Sequence, residues 1–168
     1  MSIEIQREHK MTKEWMDVVA KYAKLSSYVV ALNIGTGSGL SLYSIAMSGD
    51  GRIHTIDPQR HSSAKDYAKT YGYFKRVNFF IISSQEYFDT FRGNYFDLIV
   101  IDGSHEYEDV RKDIEFGWEV LNIGGYMVCD DYGHPTIKDH VGRAVDEFAS
   151  KYDIDIIKDR AKAIMQKQ

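Results

Sequence analysis

Cysteine is nearly absent from this chain of 168 residues: Cys129 stands alone, so no internal disulfide can form, and its place within an apolar run marks it as a buried thiol in a reducing compartment. No run of about 18 apolar residues occurs, and the opening segment MSIEIQREHKMTKEW lacks an apolar stretch followed by small residues. Neither a membrane span nor a secretory leader is therefore expected, and the protein reads as soluble and cytoplasmic. Charge of one sign is missing too: 21 basic residues face 25 acidic ones, a net of −4, with the basic residues scattered, which argues against nucleic acid as a partner. Repeats, low-complexity tracts and linkers are also lacking, and with 43% hydrophobic residues one domain over residues 1–168 can build its own core.

What is present is organised around residues 28–48, YVVALNIGTGSGLSLYSIAMS, an apolar strand that crosses a glycine-rich turn into a helix. Gly35, Gly37 and Gly39 expose backbone N–H groups and a positive helix end at one spot, a setting for a small ligand. The spacing is GxGxG. A dinucleotide fingerprint needs its third glycine where Leu40 stands, and no Gly-Lys-Ser/Thr follows, so nicotinamide is disfavoured and a P-loop is excluded.

Before this stretch, Trp15, Val18, Val19, Tyr22 and Leu25 recur at helical spacing and predict a packing helix over about 10–25. After it come predicted strands at 52–57, 77–83, 95–102 and 126–130, and predicted helices at 62–70, 85–91, 107–121 and 137–150. Gly93-Asn94 and residues 122–125 are read as turns. The strand at 95–102 has no polar face, the mark of a parallel sheet between helices. Segments 152–157 and 161–166 are too close for a crossover helix and must pair as an antiparallel hairpin. The expected fold is α/β, a doubly wound Rossmann-like sheet, mostly parallel with a C-terminal antiparallel hairpin.

In such a sheet ligands lie beyond the carboxyl ends of the parallel strands. Asp57, 22 residues after Gly35, can there accept both hydroxyls of a ribose, which implies a nucleoside; the alternative is that it only caps the turn at Pro58. Asp102, Asp130 and Asp131 would repel one another unless something positive sat between them, and a hard divalent cation such as magnesium answers that need. The alternative is that Asp102 and Asp131 cap the helices or turns next in the chain. His105 would stand beside such a metal as a general base; otherwise it is a surface histidine.

Together, NIGTGSG, IDP, DGSHEYEDVRKDIEFGWEVLNIGGYMVCDDY and VGRAVDEF resemble the class I S-adenosylmethionine-dependent methyltransferases, and more narrowly the metal-dependent O-methyltransferases related to those acting on macrolide sugars. The resemblance implies a Rossmann-like methyltransferase sheet with S-adenosylmethionine held by Gly35, Gly37, Gly39 and Asp57, with Asp102 also at the cofactor, magnesium by Asp102, Asp130 and Asp131, and His105 as the base. It departs from the family at two cofactor positions. Asn33 replaces the acid before the first glycine, and Ser83, followed by Ser84, replaces the acid after the third strand. Both can still accept a hydrogen bond from the cofactor. The expected activity is magnesium-dependent methylation of a hydroxyl on a small molecule; either a large acceptor brings its own surface to the pocket, or a second copy of the chain, in a homo-oligomer, closes it. A cofactor-binding module without catalysis and a nucleotide-dependent oxidoreductase are the alternatives.

Overall fold

A computed structural model describes residues 3–93, 95–136 and 139–168, with side chains from residue 13 onward. Helix α1 (Ile3–Ala23) is followed by strand β1 (Tyr28–Ile34), α2 (Leu40–Ser48), β2 (Asp50–Ile56), α3 (Ser62–Thr70), β3 (Val77–Phe80) and α4 (Ser84–Thr90). Then come β4 (Phe96–Ile101), α5 (Tyr107–Val120), β5 (Leu121–Cys129), α6 (Val141–Tyr152), β6 (Ile156–Asp159) and β7 (Lys162–Gln166). The seven strands form one sheet in the order β3-β2-β1-β4-β5-β7-β6, with β1 to β5 parallel and β7 antiparallel to both β5 and β6.

Alternation along the strands feeds two cores. Ala31, Ile53, Leu98, Val100, Val128 and Ile164 pack beneath α1 and α2, where Trp15, Val18, Val19 and Tyr22 supply the apolar stripe read from the sequence. Leu32, Ile34, Ile99, Ile101, Met127 and Cys129 face the other way, against α5 and α6. A strand covered on both faces has no polar side, which is why Leu98 to Ile101 are all buried. Cys129 is fully buried, and burial pushes its thiol up to about 12.

The boundaries differ from expectation where side chains or glycines intervene. Strand β3 stops at Phe80 rather than continuing to residue 83, because Ser83 is the N-cap of α4: its hydroxyl accepts from the Glu86 N–H at 3.2 Å, and Glu86 accepts from the Ser83 N–H at 2.8 Å. The segment 122–125 is strand rather than turn. The β4–β5 register shifts between Phe96 and Leu98, and a Cβ on Gly125 would lie 3.0 Å from the Asp97 carbonyl, so the glycines allow β5 to bulge against its neighbour. Helix α1 extends to Ile3, as no glycine or proline interrupts residues 3–23. Helix α6 holds to Tyr152, ended by Asp153 in a left-handed conformation (φ 53°), which delays β6 to Ile156. Asn94 of the expected turn and the expected helix start at residue 137 lie outside the described residues.

This topology places the carboxyl ends of β1 to β5 along one edge, so the segments that follow Ile34, Ile56, Phe80, Ile101 and Cys129 converge.

Candidate active site

A cavity of about 510 Å³ opens at that edge, and Gly35, Gly37, Asp57, Ser83, Ser84 and Asp102 all line it. Six of the residues expected to bind the cofactor are thus brought together. Gly35 has φ 96°, and a Cβ there would lie 1.9 Å from the Asp102 carbonyl oxygen, so only glycine lets the ends of β1 and β4 approach so closely. Gly39 stands immediately before α2 and faces Ala64 rather than the cavity.

Asp57 binds the glycine turn itself. Its Oδ2 accepts from the N–H groups of Thr36 (3.0 Å) and Gly37 (3.3 Å), its Oδ1 accepts from the Gln59 N–H at 2.8 Å, and His61 Nε2 lies 3.0 Å away. Burial raises its pKa, but the hydrogen bonds from Gln59, Gly37, Thr36 and His61 outweigh burial and hold the carboxyl below its ordinary range. Asp57 therefore both caps its turn and presents an ionised carboxylate to the cavity.

Asn33 lies beneath the glycine turn rather than on the cavity wall. It is fully buried; its Nδ2 donates to the Gly35 carbonyl (2.6 Å) and to Thr55 Oγ1 (3.1 Å), while its Oδ1 has no hydrogen-bond partner among the described residues. Ser83 lines the cavity, but its hydroxyl donates to Glu86 at 2.7 Å. Another carboxyl group reaches the cavity from α5. Asp113, in the middle of α5, is 2% exposed and lines the same cavity, and its Oδ1 has no hydrogen-bond partner among the described residues. Burial pushes Asp113 up to about 7, the Ser84 hydroxyl opposing and the Asp109 charge assisting.

Beside the cavity lies the acidic cluster. Asp102 is pushed up to about 7, first by burial and then by the Asp131 carboxylate, against Lys162 and hydrogen bonds from Ser41 and Trp15. Trp15 Nε1 donates to Ser41 Oγ at 2.9 Å, and Ser41 Oγ donates to Asp102 Oδ2 at 3.5 Å. Asp131 adopts a left-handed backbone (φ 56°), its N–H donates to Asp130 Oδ1 at 2.6 Å, and its Oδ2 lies 3.0 Å from His105 Nε2. Asp130 Oδ1 is also in direct contact with the Lys162 ammonium.

Lys162 was not foreseen. It opens β7, next to Ala163, which pairs with Cys129 in β5, and so it comes alongside Asp130. Only 8% exposed, it holds its ammonium 5.0 Å from the centre of the Trp15 ring. Its pKa is lowered by burial and supported by the charges of Asp102 and Glu14. The chain thus brings a positive charge of its own against Asp130 and near Asp102. The Lys162 ammonium against Asp130 stands where a cation would have to enter, whereas magnesium needs an octahedral oxygen shell. Among the described residues no three His, Cys, Asp or Glu side chains are placed to hold a metal ion. Asp102, Asp130 and Asp131 as they stand do not fit magnesium.

The glycine turn, the carboxylate after β2, the sheet order and the reversed β7 define a class of nucleoside-binding transferase rather than a dinucleotide oxidoreductase. A family model described as a methyltransferase domain matches residues 32–132, more than half of the chain. The chain belongs to that family, and its sheet is the Rossmann-like sheet of the class I S-adenosylmethionine-dependent methyltransferases. Among solved structures, the O-methyltransferase TomG of Streptomyces achromogenes, in complex with S-adenosylmethionine and involved in tomaymycin synthesis, is similar over 92% of this chain and 80% of its own, with a TM-score of 0.74 and 17% identity. Cofactor-bound Rv0187 from MTB is similar over 90% of this chain and 78% of its own, with a TM-score of 0.78 and 20% identity. At such identities these structures show the shared fold. An uncharacterised protein of Acanthamoeba polyphaga mimivirus is 34% identical over 79 residues, which is 47% of this chain and 32% of that protein, so the match spans about a third of its length. The family match sets the oxidoreductase alternative aside. Among the described residues no helix is long and apolar enough to cross a membrane.

Proposed function

We propose that the chain transfers a methyl group from S-adenosylmethionine to a hydroxyl of a small molecule, with His105 removing the proton. The observation that carries this reading is the pairing of His105 with Asp131 beside Asp102. With its Nε2–H given to the carboxylate, the imidazole is held in the tautomer whose Nδ1 is free to accept a proton, and its side chain is 50% exposed, open to an acceptor. The carboxylate would also stabilise the imidazolium that forms.

On the cofactor side, the ionised Asp57 is suited to ribose hydroxyls, and Gly35 and Gly37 leave the turn open to the ligand. Asp113, with one bare oxygen beside Ser84, is suited to the exocyclic amino group of adenine. When bound, S-adenosylmethionine supplies an electrophilic methyl group on a sulfonium. The residues around it contribute position and a water-poor wall, and His105 delivers the acceptor as its oxyanion. Magnesium is left out of this reading because the residues present do not fit it. A second copy of the chain would close the acceptor side; a monomer with full activity in light scattering would remove that element.

The test is a screen of hydroxyl compounds for label transferred from methyl-labelled cofactor, with His105→Ala alongside. Transfer to oxygen that is lost in the variant, while S-adenosylhomocysteine still binds, supports the reading. Transfer to nitrogen alone, or an undiminished rate in the variant, contradicts it.

A further inference from the structure

We infer, on the basis of the methyltransferase reading above, that Lys162 is a built-in cation that takes the place of a divalent metal beside the acceptor site. Three observations converge on it. Its ammonium contacts Asp130, lies in the field of Asp102, and is fixed over the ring of Trp15, a residue that also reaches Asp102 through Ser41. It is not a mobile surface lysine that happens to reach an acid. With 8% exposure and a position at the first residue of a strand, it is tied to β5 by the backbone register, so its charge is placed by the sheet itself.

Charge opposes a metal here. A divalent ion entering between Asp102 and Asp130 would meet a fixed positive charge, and binding would require the lysine to leave its pairing. Asp131, which a metal would draw inward, is instead engaged with His105. The site therefore has two parts: Lys162 pairs with Asp130 beside Asp102, and Asp131 orients the base. A metal would chelate two neighbouring oxygens of an acceptor. A lysine and a histidine impose no such requirement, so the acceptor needs only one hydroxyl.

The experiment is a calorimetric titration of EDTA-stripped protein with manganese and then magnesium chloride, in the presence of S-adenosylhomocysteine, for wild type, Lys162→Ala and the double variant Lys162→Ala/Asp130→Asn. Wild type is expected to give no saturable heat, Lys162→Ala to take up one ion per chain, and the double variant to lose it again. Stoichiometric manganese binding by wild type that disappears in Asp130→Asn overturns the inference, and so does a folded Lys162→Ala that binds no ion. The wild-type titration decides the question even if Lys162→Ala does not fold. Heat from S-adenosylhomocysteine in the same samples reports separately on the methyltransferase reading.

Discussion

Asp113→Asn separates stability from binding. The Asp113 carboxyl is pushed from 3.8 up to about 7 by burial, so between those values the folded state holds a proton that the unfolded state has released. Stability contributed by this group is therefore greatest below about pH 4, falls as the pH rises, and levels off above about pH 7. Three pH units at about 1.4 kcal/mol each place the full effect near 4 kcal/mol, of which roughly a third is already felt at pH 5. Asparagine carries no such charge. The stability of the variant relative to wild type should accordingly rise by about 2–3 kcal/mol between pH 5 and pH 8. Its absolute value is lowered by about 1–3 kcal/mol for a buried amide that lacks full pairing. Urea unfolding of both proteins at the two pH values, read at equal m-values, gives the difference directly. At pH 8 the same variant should bind S-adenosylhomocysteine up to about tenfold more weakly, because a charged acceptor has become a neutral one. A stability gap that stays constant across the two pH values would refute the assignment of a buried, ionising carboxyl, and unchanged binding would refute its role toward adenine.

Other perturbations bear on separate parts of the site. Asp57→Ala removes the acceptor for the N–H groups of Thr36, Gly37 and Gln59, and should weaken S-adenosylhomocysteine by at least about tenfold in calorimetry. Gly35→Ala places a Cβ 1.9 Å from a backbone carbonyl and should cost more than about 3 kcal/mol of stability in urea melts, with loss of binding. His105→Ala should leave S-adenosylhomocysteine binding intact and slow methyl transfer by about 10²–10⁴-fold in single-turnover assays. Lys162→Ala leaves Asp102 and Asp130 without their cation and should lower stability by about 3–5 kcal/mol in metal-free buffer.

Much of the fold was legible because local signals and burial agree. The glycine turn was read from strand-to-helix chemistry, helix α3 was bounded as observed at Ser62 and Thr70, and the C-terminal hairpin followed from a connection too short for a crossover. Residues whose role depends on a distant partner were not legible. Lys162 lies among Lys158, Arg160 and Lys167 near the chain end, and only the insertion of β7 between β5 and β6 brings it to Asp130. Three neighbouring aspartates do demand a positive charge, but that charge comes from the chain. Asp113 had a signal that could have been found: it falls on the same helical row as Val110, Ile114 and Gly117, so an acid stands on a buried stripe. The placement of Asn33 was not legible either: its strand position resembles that of a cofactor-facing acid, and only the fold shows its amide nitrogen bonded to Gly35 and Thr55 beneath the turn.

The most direct measurement of the central claim is a calorimetric titration of the EDTA-stripped protein with S-adenosylhomocysteine, with and without added magnesium. A single site, present in EDTA and weakened in Asp57→Ala, is the predicted result. No saturable heat, or heat that appears only with magnesium, would contradict the account.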